Sequence, residues 1–239
     1  VAQNGKDITS VTNRTKTVED DLAGTKTTLS QVKTTADSTS QKTATLETGL
    51  NGLSAKFDSL SVGAVNLLKN SKTFTGSNIF CESTLLNETY QGCAVRYLKN
   101  TNPNSPWQEV ARFNNCVYPK LGGEYVASFW AKGSGTVTVF FYNGLPVDSF
   151  VTSQGVTGNF GDGRATFTLS ENWERYWVKY KLQATTEQQT VAKILLFRHN
   201  NNSIEDETYL AGVQLEEGNV QTPYSQAPED FDWSTTALV

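Results

Sequence analysis

The sequence has little of what most catalytic sites are built from. Its 239 residues include one histidine, His199, three cysteines and no methionine. A nucleophile–histidine–acid triad would have to use His199, and no Gly-x-Ser-x-Gly elbow is present to hold its nucleophile. The sequence also has no HExxH motif, no phosphate-binding glycine loop and no EF-hand loop. We therefore expect a protein that is not an enzyme.

The cysteines are too few and too dispersed for a structural zinc site. Cys81, Cys93 and Cys116 form no CxxC pair, and His199 is far from them in sequence. We expect buried or half-buried thiols, with one disulfide among the three as the alternative.

Long apolar runs are missing as well. No stretch of eighteen apolar residues occurs, so we expect no membrane-spanning segment. Because the chain starts at Val1 and contains no methionine, we expect a fragment or processed product that lacks its original N-terminus and any signal peptide.

Positive charge is absent from the last part of the chain. Residues 201–239 contain eight acids and no Lys or Arg, whereas residues 61–200 contain 13 basic and 9 acidic residues. That basic excess is small and scattered, and nucleic-acid binding usually needs a dense basic patch. We expect no nucleic-acid partner.

The first sixty residues contain thirteen threonines and a single aromatic residue, Phe57. Apolar residues recur there at alternating steps of three and four, without a change of phase, as in a left-handed coiled coil. The apolar seam positions, which we assign to oligomerisation, are Ile8, Val11, Val18, Leu22, Leu29, Val32, Leu46, Leu50, Leu53, Phe57 and Leu60.

Charges beside this seam favour parallel, in-register helices. With Ile8 as heptad position a, the g-to-e pairs include Arg14–Glu19, Asp21–Lys26 and Lys42–Glu47, each of opposite sign. We predict a parallel homo-oligomer and favour a trimer. The alternative is a flexible threonine-rich linker, since threonine is a mediocre helix former.

The remainder is predicted to be β-structure. Alternating apolar and polar residues predict strands at 93–99, 107–113, 124–133, 136–143, 164–169, 175–183, 191–199 and 208–216. The turn "KGSG" predicts a hairpin between the third and fourth of these. Short strands at this spacing predict an antiparallel sandwich.

We expect four segments: a coiled-coil stalk over 1–60, a linker over 61–65, a β-sandwich over 66–220 and an acidic extended tail over 221–239. On the last strand, Tyr209, Ala211, Val213 and Leu215 are predicted to face the core. Glu216 and Glu217 are predicted to be solvated, and Pro223 and Pro228 should keep the tail extended.

Aromatic residues out of phase with the core are the candidate binding residues. Flat rings stack on the C–H faces of sugars, and long polar side chains bond to sugar hydroxyls. Trp130 and Tyr142 are predicted on adjacent strands of one open face, which Trp177, Lys179, Arg198 and His199 would extend. Trp107, Arg112 and Tyr118 would line its edge. The alternative is that these aromatic residues only cover the sheet.

Paired carboxylates are the one feature that suggests catalysis. A glycosidase needs two carboxylates on either side of its substrate, and Glu171 with Glu174, or Glu205 with Glu207, are the candidates. Solvated loop acids are the interpretation that we prefer.

Four motifs occur in a fixed order along the β segment: "NLLKNS" (66–71), "SFWAKGSG" (128–135), "AGVQLEEG" (211–218) and "TPYSQAPED" (222–230). Together they resemble the carbohydrate-binding modules of tail and baseplate proteins of phages that infect Gram-positive bacteria, lactococcal siphophages especially. The resemblance covers about residues 64–230, and the threonine-rich segment resembles the fibrous connectors ahead of such modules.

The resemblance implies a jelly-roll-like β-sandwich with an accessory or receptor-binding role in host adhesion. It implies host cell-wall polysaccharide as ligand, other tail or baseplate proteins as partners, and a place in the virion after assembly in the bacterial cytoplasm. A docking or spacer domain that binds another tail protein, and a cell-wall hydrolase, are the alternatives. Some related sandwiches hold a structural calcium, but the final strand here lacks the acidic pair, so we expect no cofactor.

Overall fold

We analysed a computed structural model of the protein, which describes residues 1–63, 65–99, 107–117, 120–142, 147–158, 163–184, 193–200 and 205–231. The chain forms two compact units, residues 1–59 and 60–239.

The first unit is one helix, α1 (Ala2–Asp58), in which no residue is buried. Threonine hydroxyls donate to the backbone carbonyl four residues earlier, which satisfies them within the helix. These donors are Thr9, Thr17, Thr25, Thr27, Thr28, Thr34, Thr45 and Thr48. The structure thus shows a helix rather than a flexible linker, and its association into a coiled coil stays a prediction.

The second unit is mainly β. Its strands are β1 (Ile79–Phe80), β2 (Thr84–Tyr90), β3 (Cys93–Lys99), β4 (Trp107–Val117), β5 (Glu124–Gly133), β6 (Thr136–Tyr142), β7 (Val147–Thr152), β8 (Thr157–Gly158), β9 (Ala165–Thr168), β10 (Glu174–Leu182), β11 (Lys193–Asn200) and β12 (Glu207–Glu217). A 3-10 turn, Pro228–Asp230, follows them.

The strands form two sheets that pack as a sandwich. One sheet has the order β1-β4-β11-β6-β9 and the other β2-β3-β12-β5-β10-β7-β8, and every strand pair described is antiparallel. The prediction of an antiparallel sandwich is confirmed.

The predicted hairpin at "KGSG" is wrong. Strand β5 pairs with β10 and β12, whereas β6 pairs with β9 and β11 in the opposite sheet. The turn therefore carries the chain from one sheet to the other. Gly133 adopts a φ of +155°, and a side chain there would collide with the backbone of Glu207.

The core between the sheets is rich in aromatic rings. Phe129 illustrates the packing, with ring centroids 5.3 Å from Phe167, 5.6 Å from Tyr176 and 5.2 Å from Phe197. Other buried rings of this core are Phe113, Tyr125, Phe141 and Tyr180. Edge-to-face and offset contacts of this kind add to the stabilisation from burial alone.

Strand β12 differs from its predicted phase. Its pairing with β5 shifts register between Ala211 and Gln214, and Gly212 takes a φ of +54°, as in a β-bulge. Because of this bulge, Leu210, Val213 and Leu215 face the core. Tyr209 and Ala211 instead join a second apolar cluster, on the outer side of the larger sheet.

Residues 219–231 return across this outer side rather than leaving the domain. Ser225 N donates to Gln214 Oε1 at 2.7 Å, and the Asp230 carboxylate accepts from Asn70 N at 2.7 and 2.8 Å. Ala227 is fully buried. The predicted tail is thus, up to residue 231, part of the sandwich's packing.

The prediction that Glu216 is solvated is wrong, because Glu216 is fully buried. Its carboxylate accepts hydrogen bonds from the backbone N–H and the hydroxyl of Thr222, which satisfy it locally. Glu217 is exposed and forms an ion pair with Lys120.

Cys81 is half-buried and Cys93 is buried, and both are free thiols, as predicted. Burial raises the pKa of each thiol. The side chain of Cys116 lies outside those described. Among the residues that the structure describes, no helix is long and apolar enough to cross a membrane.

Candidate functional site

The predicted site residues do not form one surface. Trp130 on β5 and Tyr142 on β6 belong to different sheets, so the prediction that they share an open face is wrong. Trp177 and Lys179, on β10, lie in the seven-stranded sheet together with Trp130, and not in the five-stranded sheet with Tyr142.

The remaining candidates lie mostly on the five-stranded sheet. Trp107 and Arg112 lie on β4, and Arg198 and His199 on β11. The side chains of Trp107, Tyr142, Arg198 and His199 are outside the described part of the chain, as is the whole of Tyr118.

Arg112 is held by its neighbours. Its Nη1 lies 3.3 Å from Glu109 Oε1, and its guanidinium carbon lies 4.5 Å from the centroid of the Phe80 ring. An ion pair and a cation–π contact fix its position on this sheet.

Trp130, Trp177 and Lys179 share the outer face of the seven-stranded sheet. Trp130 is opposite Arg175 across the β5–β10 ladder, and Trp177 and Lys179 follow at intervals of two residues, so their side chains leave the same face. All three are half-buried. Strand phase therefore placed these three residues correctly relative to one another.

Arg175 connects Trp130 to strands β5 and β12 on this face of the sheet. Its Nη1 donates to Gly212 O and its Nη2 to Ser128 Oγ, both at 2.8 Å, and its guanidinium lies 5.5 Å from the Trp130 centroid. Burial lowers the pKa of Arg175 to about 10, which still leaves it charged at neutral pH. The position of Trp130 is thereby tied to the bulge in β12.

Around Trp130 the sheet carries a group of rings that we call the aromatic cluster: Tyr90, Tyr97, Trp130, Trp173 and Tyr209. Tyr90 stacks on Trp173, with centroids 4.2 Å apart and planes at 12°, and meets Trp130 edge-on at 5.4 Å. Tyr209 lies 4.8 Å from Tyr97 and 6.4 Å from Trp173. Each ring is half-buried, so part of each remains accessible to solvent.

Lys132 joins two rings of the cluster. It is opposite Tyr209 across the β5–β12 ladder, and its Nζ lies 4.7 Å from the Tyr209 centroid and 5.4 Å from the Trp173 centroid. Such cation–π contacts are electrostatically favourable and hold the ammonium beside the rings.

A pocket of about 200 Å³ opens beside these residues. It is lined by Lys132, Gly133, Ser134, Glu171, Glu207 and Tyr209. Pockets for drug-sized ligands measure roughly 300–1,000 Å³, so this one suits a smaller group such as one sugar ring. It combines an aromatic wall with an ammonium donor, a hydroxyl and two carboxylates.

Hydrogen bonds organise the acidic side of this pocket. Tyr97 Oη donates to Glu207 Oε1 at 2.9 Å, and Lys99 Nζ lies 4.0 Å from the same oxygen. Ser134 Oγ accepts from Glu207 N at 3.1 Å. These contacts connect the pocket to β3, the strand next to β12.

Most of the aromatic cluster was missed by sequence reasoning. Tyr90, Tyr97, Trp173 and Lys132 were not candidates, and Tyr209 was assigned to the core. Tyr97 could have been found, because it alternates with Leu98 on a strand whose bounds were predicted. Trp173 lies just before the first residue of β10, Glu174, and alternation along a strand cannot predict which way a residue outside it faces.

The raised pKa of Tyr97 predicts how the stability of the folded domain depends on alkaline pH. Burial, together with the hydrogen bond to Glu207 and its negative charge, raises the pKa of Tyr97 to about 12 from the usual 10. A folded pKa above the unfolded one means that this contribution to stability is complete below pH 10 and is lost as pH rises towards 12.

We expect Tyr97→Phe to make the fall in unfolding free energy between pH 10 and 12 shallower, because one titrating phenol is removed. Urea unfolding followed by tryptophan fluorescence at several pH values measures this slope. Tyr90→Phe leaves the Tyr97–Glu207 bond in place and should keep the wild-type slope. Equal slopes for wild type and Tyr97→Phe would contradict the assignment.

Among the described residues, no group of three or more His, Cys, Asp or Glu side chains is placed to hold a metal ion. No protein-family model matches this sequence, and no curated protein sequence matches it either.

Solved structures with some similarity include phage proteins and carbohydrate-binding modules. The tripod from the baseplate of bacteriophage Tuc2009 is 13% identical, with 72% of this chain and 61% of that chain covered and a TM-score of 0.40. The enzymatically active domain of tailspike protein 4 of bacteriophage CBA120 is 13% identical, with coverages of 64% and 21% and a TM-score of 0.41.

The CBM22-1 xylan-binding domain from Paenibacillus barcinonensis is 12% identical, with 67% of this chain and 99% of that chain covered and a TM-score of 0.36. With TM-scores below 0.5, these three matches assign neither a ligand nor a role to this chain.

Proposed function

We propose that this chain is a non-enzymatic, saccharide-binding module of a phage tail or baseplate that assists adhesion to the host cell wall. The observation that carries the proposal is the pocket beside the aromatic cluster, where Tyr209 and Lys132 meet Glu171 and Glu207. The ordered motifs from 66–71 to 222–230, which resemble those of phage modules, support the virion location.

The chemistry of the pocket suits a sugar. One face of a pyranose presents C–H groups that pack on a flat ring such as Tyr209 or Trp173. Its hydroxyls can accept from the Lys132 ammonium and donate to the carboxylates of Glu171 and Glu207. Because the pocket is small and open, one contact is expected to be weak, with a dissociation constant on the order of millimolar.

Aromatic substitutions test the saccharide site. We expect Trp173→Ala and Tyr209→Ala each to weaken binding to cell walls of a lactococcal strain panel, and to the polysaccharide released from them, by about tenfold. A lost ring contact of about 1.4 kcal/mol corresponds to that factor. Pull-down on the walls and calorimetry with the polysaccharide measure it.

Phe80→Ala is the matched control, because Phe80 is an exposed ring on the five-stranded sheet. It should bind like wild type. If Phe80→Ala alone weakens binding, the saccharide site lies on the other sheet; if no wall or polysaccharide is bound, the proposal fails altogether.

A separate measurement, the release of reducing sugar, distinguishes a binding module from a hydrolase. Glu207, the pocket acid on β12, accepts a hydrogen bond from Tyr97 and lies near Lys99, and we propose that it binds the ligand without cleaving it. Prolonged incubation with the same walls should release no more reducing sugar than Glu171→Gln protein does.

We further propose that α1 forms a parallel homotrimer, which would present several such sites together. Its apolar seam side chains, from Ile8 to Phe57, are 54–73% exposed in the single helix. Opposite charges beside the seam, including Arg14–Glu19, favour a second copy in parallel register over another partner. Linked sites compensate for weak single contacts through effective concentration.

A further inference from the structure

A second concavity of the sandwich lies away from the saccharide pocket, on the outer side of β7, β8 and β10. It has a volume of about 560 Å³, and its lining includes Glu124, Val151, Lys179, Lys181 and Asn219. This volume lies within the range of sites that bury most of a small ligand. The cleft is therefore large enough to hold more than one unit of a polymer.

Two ammonium groups dominate the chemistry of this cleft. Lys179 and Lys181 are two residues apart on β10, so their side chains leave the same face of the sheet. Within the described part of the chain, neither forms a salt bridge with a carboxylate. Both charges are thus available to a ligand.

Among the described residues that line the cleft, the one acid is Glu124, and it has a partner elsewhere. Glu124 is opposite Lys181 across the β5–β10 ladder, but its Oε2 accepts a hydrogen bond of 2.8 Å from Asn219 Nδ2. Asn219 belongs to the segment that crosses the outer side of the sheet, and its hydrogen bond orients the Glu124 carboxylate towards that segment. The described residues that line the cleft, two lysines and one glutamate, therefore carry a net positive charge.

A flat ring lies beside one of the two lysines that line the cleft. Lys179 Nζ is 5.0 Å from the centroid of the half-buried Trp177 ring, so the ammonium and the indole are adjacent on the sheet surface. Val151, on β7, adds a partly exposed apolar wall opposite Lys179. An anionic group attached to a carbon chain could therefore bind the ammonium group while its chain packs against Trp177 and Val151.

We propose that this cleft is a second ligand site, which binds the phosphate or carboxylate groups of an anionic polymer. The ammonium groups of Lys179 and Lys181 contact the anion, and Trp177 packs against the polymer backbone. Lysine binds such groups as a point charge without a strict geometry, which suits a repeating, flexible ligand. This site is separate from the saccharide pocket and does not depend on it.

The test uses the full-length protein and four defined probes: poly(glycerol phosphate), polygalacturonate, uncharged dextran and inorganic phosphate. We expect binding of at least one anionic polymer at low salt, weakening as salt is raised, because ions screen exposed charges. We expect little binding of dextran at this cleft. Inorganic phosphate should bind more weakly than the polymer, since it lacks the chain that packs on Trp177.

A double variant locates the site. Lys179→Gln/Lys181→Gln should weaken anionic-polymer binding by about tenfold, as expected for two exposed charge contacts. Lys6→Gln/Lys16→Gln removes the same charge from the exposed helix and should bind like wild type. Unfolding curves that match wild type establish that each variant is folded.

The outcomes separate this proposal from the saccharide site. Trp173→Ala and Tyr209→Ala should retain anionic-polymer binding, and the lysine double variant should retain binding of neutral wall saccharide. Absence of binding to both anionic polymers, or equal weakening by the cleft and helix lysine pairs, would overturn the proposal. Loss of neutral-saccharide binding alone would leave it standing.

Discussion

Replacing Asn66 by alanine is expected to lower the free energy of unfolding of the sandwich by about 4 kcal/mol. Asn66 is fully buried, and its amide lies within hydrogen-bond distance of five groups. Nδ2 faces Ser71 Oγ, Val213 O and Ser225 O, and Oδ1 accepts from Leu68 N and Leu215 N. Each lost bond costs about 1 kcal/mol, and each buried group left without a partner costs more.

Tryptophan fluorescence during urea unfolding measures this loss. All five tryptophans lie beyond residue 60, so the signal reports the sandwich and not α1. Asn172→Ala is the matched control, because Asn172 is exposed, and its effect should be within about 0.5 kcal/mol. A loss below 1 kcal/mol for Asn66→Ala would mean that water replaces the amide at little cost.

Asn66 also explains why two distant motifs of the sequence occur together. "NLLKNS" contributes Asn66 and Asn70, and the C-terminal motifs contribute the groups that they bond, including Leu215 N and the Asp230 carboxylate. The two ends of the domain are thereby joined on one side of the sheet. Each motif thus satisfies buried or half-buried polar groups of the other.

The eight strands predicted from alternation are all present, and β3 and β5 have the predicted bounds. The missed strands are β1, β2, β7 and β8. Two of these are only two residues long, and β2 is exposed at most positions, so no buried face imposes an alternating pattern. Alternation can reveal a strand only where one of its faces is buried.

Which strands are neighbours could not be predicted from alternation. "KGSG" is compatible with a hairpin and with a crossing between sheets, and only the pairing of β5 with β10 and β12 distinguishes them. This error assigned Trp130 and Tyr142 to one face. Likewise, the bulge at Gly212 reverses the phase within β12, which moved Tyr209 from the predicted core to the surface.

Disrupting the seam of α1 is expected to convert the proposed trimer to monomer. Leu22→Glu, Leu29→Glu and Val32→Glu in one chain place three like charges at seam positions where apolar side chains would be buried between copies. Burying each such side chain contributes roughly 1.5–3 kcal/mol, and an isolated helix gains none of it. Analytical ultracentrifugation measures the change in mass.

The same variant should bind polymeric cell-wall saccharide roughly 10²-fold to 10⁴-fold more weakly, while its affinity for a short saccharide that fills one pocket stays at the wild-type value. That difference arises because only a polymer can engage linked sites together, at an effective concentration set by the assembly. Thr27→Glu, Thr34→Glu and Thr48→Glu add the same charge outside the seam and should preserve both the trimer and the avidity. A wild-type chain that sediments as a monomer at micromolar concentration would remove the basis for both effects, because no partner would then bury the seam of α1.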